Sequence, residues 1–169
     1  MNILILGLGN ILLSDEGVGV RLVEALAERY ALPEGIEILD GGTSGMELLD
    51  DIANRDHLIV CDAINTDAEP GTILCLRDDD IPALFRQRLS PHQLGLADLL
   101  ATLTLCDQAP TQMTLIGIVP ADLSLSLELS GIAKEALEKA LAQVCDELRG
   151  LGIELLEHGL AVEMDDSAA

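Results

Sequence analysis

"NILILGLGNILLSDEGVGVRLVEALAERY", residues 2–30, decides the fold. Its opening NILILG (2–7) is a short apolar run of the kind a buried strand shows. From Gly17 the period changes. Val18, Leu22, Val23, Leu26 and Tyr30 recur at helical spacing and mark one stripe of a helix over 17–30. A tight strand-to-helix turn needs only a few residues. Here the join is longer and carries Gly9, Asn10, Ser14, Asp15 and Glu16, so two carboxylates need an explanation.

The alternation continues outward from this stretch. Pro33-Glu34-Gly35 turns the chain into a second strand, IEILD (36–40), followed by GGTSGMELLDDIA (41–53). There Ser44 and Glu47 have the spacing of a capping box for a short helix. HLIVCDA (57–63) is a third strand, and its continuous apolar run implies cover on both faces. Only eight residues, 63–70, separate Asp62 from the fourth strand GTILCL (71–76). That is too short for a crossover between parallel strands, so this strand is expected to run antiparallel. SPHQLGLADLLATLTL (90–105) opens a helix with Ser90 as N-cap, Pro91 at the first helical position and Gln93 closing a capping box. MTLIGIV (113–119) is a fifth strand. A last helix over 131–149 points Ile132, Ala136, Leu137, Ala140, Leu141 and Val144 inward and Glu135 and Lys139 outward, with Gly150 as its stop. The fold class is therefore α/β, a three-layer αβα sandwich on a five-stranded, mostly parallel twisted sheet with one antiparallel strand. One domain is expected over 1–150. Residues 151–169 form a C-terminal extension, in which 153–158 stay unassigned and EMDDSAA (163–169) is expected to be disordered.

Composition narrows the function. Thirty acidic residues against nine basic leave a net charge of −21, which repels a phosphate backbone and excludes nucleic acid as a partner. Most of that charge reads as a solvated surface. No apolar run reaches the 18 or so residues of a membrane span, and the N-terminus has no basic segment of a signal peptide. Aromatic residues make up 1% of the chain, Tyr30 and Phe85, so the core must be aliphatic. Three of the four cysteines (Cys61, Cys75, Cys106 and Cys145) lie in apolar runs or on a helical stripe. They read as reduced packing residues of a cytoplasmic protein. A monomer is expected. Arg77, Arg86 and Arg88 fall close together in sequence.

In an open α/β sheet, ligands bind at the carboxyl ends of the strands. Those ends deliver Gly7, Gly9 and Asn10 with the Asp15–Glu16 loop, then Asp40 with Gly41 and Gly42, then Asp62. Strands lie about 4.8 Å apart, so these acids crowd one rim. His92, in the first turn of its helix, can be carried to the same rim, and carboxylates with an imidazole suit an oxygen-and-nitrogen metal site. Structural roles compete for each residue. Ser14 or Asp15 would serve as N-cap of the first helix, Glu16 would complement its dipole, and Asp40 would bond the amides of its Gly-Gly turn. Asp62 ends a strongly apolar strand and has a weaker structural excuse. A cationic His92 at a helix N-terminus opposes the dipole, so a neutral ligand or base suits it better. Thr43 and Ser44 read as caps, and His57 and His158 lie away from the rim. GLGNIL (7–12) opens like a dinucleotide loop, but Leu12 replaces the third glycine and Asp15 and Glu16 would face a pyrophosphate.

MNILILGLGNILLSDEGVGVRLVEAL, EILDGGTSGMELL, HLIVCDA and SPHQLGLADLL together resemble the hydrogenase maturation endopeptidases, above all those acting on uptake-type [NiFe] hydrogenase large subunits. The likeness runs from residue 1 to about 148. It implies an endopeptidase that removes a C-terminal extension from the large-subunit precursor after nickel insertion. It also implies that Glu16, Asp62 and His92 contact a nickel brought by that precursor, and that Gly41, Gly42 and Thr43 form a substrate loop with Asp40. The scissile bond would be opened through a nickel-polarised carbonyl or a metal-activated water, with Asp40 as assisting base. A non-catalytic nickel checkpoint that binds the same precursor stays open, because no nucleophile is visible in the sequence. The three arginines are expected near His92, against the precursor's surface.

Overall fold

The computed structural model describes residues 1–85 and 90–159. Strand β1 (Ile3–Leu8) is an inner strand of the main sheet, with helix α1 (Val18–Arg29) following a 3-10 turn over Ser14–Gly17. Then come β2 (Tyr30–Ala31), β3 (Ile36–Gly42), α2 (Leu49–Ile52), β4 (His57–Ala63) and β5 (Ile73–Arg77). The chain continues through α3 (Asp80–Phe85), α4 (Pro91–Leu105), β6 (Gln112–Ile118), α5 (Gly131–Gly150) and β7 (Leu156–Glu157). The main sheet has the order β3-β1-β4-β6-β5, with β5 antiparallel to β6 and every other pair parallel.

Why β1 is apolar at every position follows from its two neighbours. Ile3 and Ile5 enter a cluster with Val18, Leu22 and Leu26 of α1 and Ala136, Ala140 and Val144 of α5. Leu4, Leu6 and Leu8 point to the other face, against Leu48, Ile52, Leu96, Leu99 and Leu103. β4 divides the same way, Ile59 and Cys61 to one side, Leu58 and Val60 to the other. Burial on both faces removes the polar half of the usual strand alternation. The result is the expected αβα sandwich with an aliphatic core, and the four cysteines are free. No described helix is long and apolar enough to cross a membrane.

α1 lies unusually close to the sheet because Gly19 has no side chain. A Cβ there would stand 2.1 Å from the Cys61 carbonyl oxygen and 2.6 Å from that of Leu8. Gly19→Ala is therefore expected to destabilise the fold by about 3 kcal/mol in urea unfolding. At an exposed helical glycine the same change would stabilise by up to about 1 kcal/mol, so the sign of the result reports the packing.

Several local expectations need correction. α1 is capped by no side chain, neither Ser14 nor Asp15; the Asp15 carboxylate is turned to a distant loop. Ser44 makes no capping box: the turn over Met46–Leu48 starts after Gly45, whose N–H donates to the Glu47 carboxylate at 2.8 Å. Tyr30 leaves the helix for β2 and is only half-buried. Ile132 is 50% exposed, since α5 presents Ala133 rather than its neighbour to the core. Arg77 sits at the wrong end of the sheet for His92, because an antiparallel β5 carries it back to the amino ends of the parallel strands. There it pairs with Glu147. Arg86, Arg88 and the expected disordered tail lie outside the described residues. Leu151, Ile153 and Leu155 pack against the first cluster, and Leu156–Glu157 pairs antiparallel with Tyr30–Ala31.

Candidate metal-contacting site

The carboxyl ends of β1, β3 and β4 lie level. Gly7 is in register with Asp40 on one side and Cys61 on the other, and Asp62 follows Cys61. Gly9 turns the chain away from β1 with φ of +129°, and a Cβ there would stand 2.0 Å from the Glu16 carbonyl oxygen. Only glycine lets the returning loop approach so closely. Glu16 is thereby brought back over the end of β4. α4 starts at the same rim, where Ser90 accepts from the Gln93 N–H and the Gln93 side chain accepts from the Ser90 N–H.

These elements bring three ligand atoms, one each from Glu16, Asp62 and His92, within 4.8 Å of one another. His92 Nε2 lies 2.9 Å from Asp62 Oδ2, and His92 Nδ1 lies 3.6 Å from Glu16 Oε1. Asp62 and His92 are buried, while the Glu16 side chain is 19% exposed at the mouth. Gln93 Nε2 donates to Asp62 Oδ2 at 3.0 Å and to the Ala63 carbonyl at 3.2 Å. Among the described residues Asp62 Oδ1 has no hydrogen-bond partner, although it is buried. An orphaned buried carboxylate oxygen is costly unless something else takes it. One nitrogen and two carboxylates fit a borderline divalent cation, and bonds of about 2.0–2.2 Å would span nearly the spacing seen.

Electrostatics agree with that donor set. Burial, reinforced by the neighbouring Asp62 charge and moderated by His92, pushes the Glu16 carboxyl up to about 7. Burial alone would lower His92, yet its bond to Asp62 and the charges of Asp62 and Glu16 outweigh it and hold the imidazole above its usual value. Near neutral pH the group thus retains protons that an entering cation would displace.

The family model described as "HycI: Hydrogenase maturation protease" matches residues 20–147. The chain belongs to the hydrogenase maturation protease family. A hydrogenase 2 maturation protease of Escherichia coli (strain K12) is 53% identical over 157 residues, 92% of this chain and 96% of that protein. A hydrogenase expression/formation protein, HupD, of Rhodobacter capsulatus is 42% identical over 158 residues, 90% of this chain and 74% of its own length. The solved hydrogenase maturating endopeptidase HybD of E. coli superposes with a TM-score of 0.91 at 52% identity, covering 94% of this chain and 99% of that one.

This maturation protease keeps its remaining rim residues apart from the three-residue group. Asp40 is exposed at the end of β3, two strands from Asp62, and its Oδ1 accepts from the Gly42 N–H at 2.9 Å. The loop after it is fastened at both ends. The Gly42 carbonyl accepts from the Gly9 N–H at 2.8 Å, and Gly45 meets Gly95 of α4 backbone to backbone. Gly41 is buried under Leu6 and Leu8, while Thr43 is exposed. His57 is buried at the amino end of β4, bonded to Thr114, and His158 bonds the Ala27 carbonyl.

Two residues of the site escape a sequence reading. Gln93 has a visible capping role that hides its second one, holding Asp62. Asp15 accepts from the N–H groups of Ala121, Asp122 and Ser130 and from the Ser130 hydroxyl, at 2.7–2.9 Å. It clamps the loop after β6 against the turn that carries Glu16, and no local signal announces partners so distant in sequence.

Proposed function

We propose that this protease removes the C-terminal extension of a [NiFe] hydrogenase large-subunit precursor once nickel is in place, and that Glu16, Asp62 and His92 contact that nickel. The convergence of these three side chains around an unpartnered Asp62 oxygen carries the reading. The nickel belongs to the substrate and would act as Lewis acid on the bond to be cut. Asp62 supplies a fixed donor because Gln93 and His92 hold its other oxygen. Glu16, at the mouth, meets the cation first and gives up its proton to do so. A nickel-free precursor brings no cation to displace the protons held by Glu16 and His92, which supports its refusal. Asp40 serves on the peptide side as assisting base, with its loop of Gly41, Gly42 and Thr43 against the substrate backbone.

The test uses the nickel-loaded precursor and a nickel-free control, each mixed with the purified protease and followed by intact mass. The expected result is loss of a C-terminal peptide from the loaded form alone. Equal cleavage of both forms would remove the nickel-sensing role. Binding of the loaded form with no mass change would make the chain a checkpoint instead.

A further inference from the structure

The loop after β6 runs along the chain just before Glu16. The Ser126 N–H donates to the Leu12 carbonyl, the Ser14 N–H donates to the Ser126 carbonyl, and the Asp15 N–H donates to that of Asp122. Between these bonds the sequence reads Leu123-Ser124-Leu125-Ser126-Leu127, an alternation without a core to face. Leu123 is 44% exposed, Leu125 82% and Leu127 60%, and Leu12 beside them is 52% exposed. Single exposed leucines are ordinary, but four on two hydrogen-bonded stretches of a chain of net charge −21 are not.

The backbone of the same segment is open on its outer side except at the Leu127 carbonyl, which accepts from Arg21 Nη2 at 3.1 Å. Ser126 uses its N–H and carbonyl inward. Among the described residues, the N–H and carbonyl of Leu125 and the N–H of Leu127 make no hydrogen bond. Unpaired main-chain groups beside alternating apolar side chains are what an added strand requires: the backbone supplies affinity and alternate side chains the specificity. Exposed carboxylates of Asp122 and Glu128 close the two ends of the row. A strand docking there must therefore be apolar in the middle and basic at its flanks.

We infer that Leu123–Leu127, with Leu12 beside it, is the docking edge for an extended apolar, basic-flanked stretch of the polypeptide substrate. The inference rests on the precursor-processing reading above. It deepens that reading by giving the substrate a place that touches no metal. The edge lies at the carboxyl rim of the sheet and is tied by the Asp15 clamp to the turn bearing Glu16. A strand held there is delivered to Glu16, Asp62 and His92.

The experiment compares the parent chain, the double variant Leu125→Asp/Leu127→Asp and the control Leu105→Asp, whose leucine is 88% exposed on α4. Processing of the nickel-loaded precursor gives KM and kcat, and Tm monitors the fold. Hydrogen exchange reads the Leu125 and Leu127 amides of the parent with and without the precursor. The double variant is expected to raise KM about tenfold or more, with kcat within about twofold and Tm unchanged, while the control stays at parent values. The two parent amides are expected to become protected on adding the precursor. An unchanged KM in the double variant, or amides that exchange equally fast with precursor present, overturns the inference. So does protection that rises with protein concentration alone, which would make a second copy the occupant. Amide protection without any cleavage would overturn the processing reading and leave the docking edge standing.

Discussion

Glu16→Gln is expected to make the protease more stable than its parent at pH 8 and to slow precursor processing by about a hundredfold or more. Both effects come from one half-buried carboxyl. In the folded chain Glu16 keeps its proton up to about pH 7, against an ordinary value of 4.5. Between those values the folded chain binds more protons than the unfolded chain, so stability falls as pH rises through the window. His92 acts in the same direction. Its folded value is raised above 6.5, and the stability it contributes below that value is lost as pH climbs through the folded one. Glutamine removes the Glu16 contribution. With the Glu16 side chain 19% exposed and partly screened, the expected gain is roughly 1–3 kcal/mol above pH 7. For a chain of this size that raises Tm by several degrees. The advantage should shrink as pH is lowered towards 4.5, where both states take up the proton. Paired thermal melts at pH 5 and pH 8 check the stability claim, and intact-mass kinetics check processing. No gain at pH 8 would mean that the Glu16 carboxyl is not strained by its burial beside Asp62.

Asp15→Asn is expected to destabilise the fold by about 3–4 kcal/mol, the larger cost among the acids of this loop. Its fully buried carboxylate accepts three backbone N–H groups and the Ser130 hydroxyl, with the Ser14 hydroxyl more distant at 3.5 Å. Burial alone would raise its pKa, but the bonds to Ser130, Ala121 and Asp122 outweigh it and hold the carboxyl below its usual 3.8. That shift contributes stability above the ordinary value and loses it as pH falls through the lowered one. An asparagine keeps one acceptor but turns an NH2 group on donors that have nowhere else to go. Urea unfolding measures the loss, with Asp122→Asn as reference, since that exposed acid accepts, among the described residues, from Ser124 alone. A loss below about 1 kcal/mol for Asp15→Asn would show that the loop after β6 is held by something other than this carboxylate. A loss in urea together with slowed processing would tie the clamp to the placement of Glu16.

The parts legible in the sequence are those in which neighbours along the chain act on each other. Continuous apolar runs identified β1 as a buried strand and β4 as covered on both faces, because strand alternation disappears when both sides are covered. The eight residues after Asp62 set the direction of β5, because no crossover fits in them. The Ser90–Gln93 capping box was readable because both bonds lie within four residues. The rule that strands of an α/β sheet end at one rim gathered Asp15, Glu16, Asp40, Asp62 and His92, and the family resemblance narrowed them to Glu16, Asp62 and His92, whose ligand atoms lie within 4.8 Å of one another. What could not be read involves partners far apart in the chain. Asp15 has the spacing of a cap, yet amides more than 100 residues away compete for its carboxylate and win. Arg77 looked close to His92 in sequence, but strand direction carried it to the opposite end of the sheet. Local pattern determined the elements, their layering and the rim where polar residues gather, since periodicity and chain length are properties of the sequence alone. Tertiary structure decided which oxygen of Asp62 was left unpartnered, how high Glu16 holds its proton and which leucines stayed in water. Those outcomes depend on burial and on donors that meet only when the chain is folded.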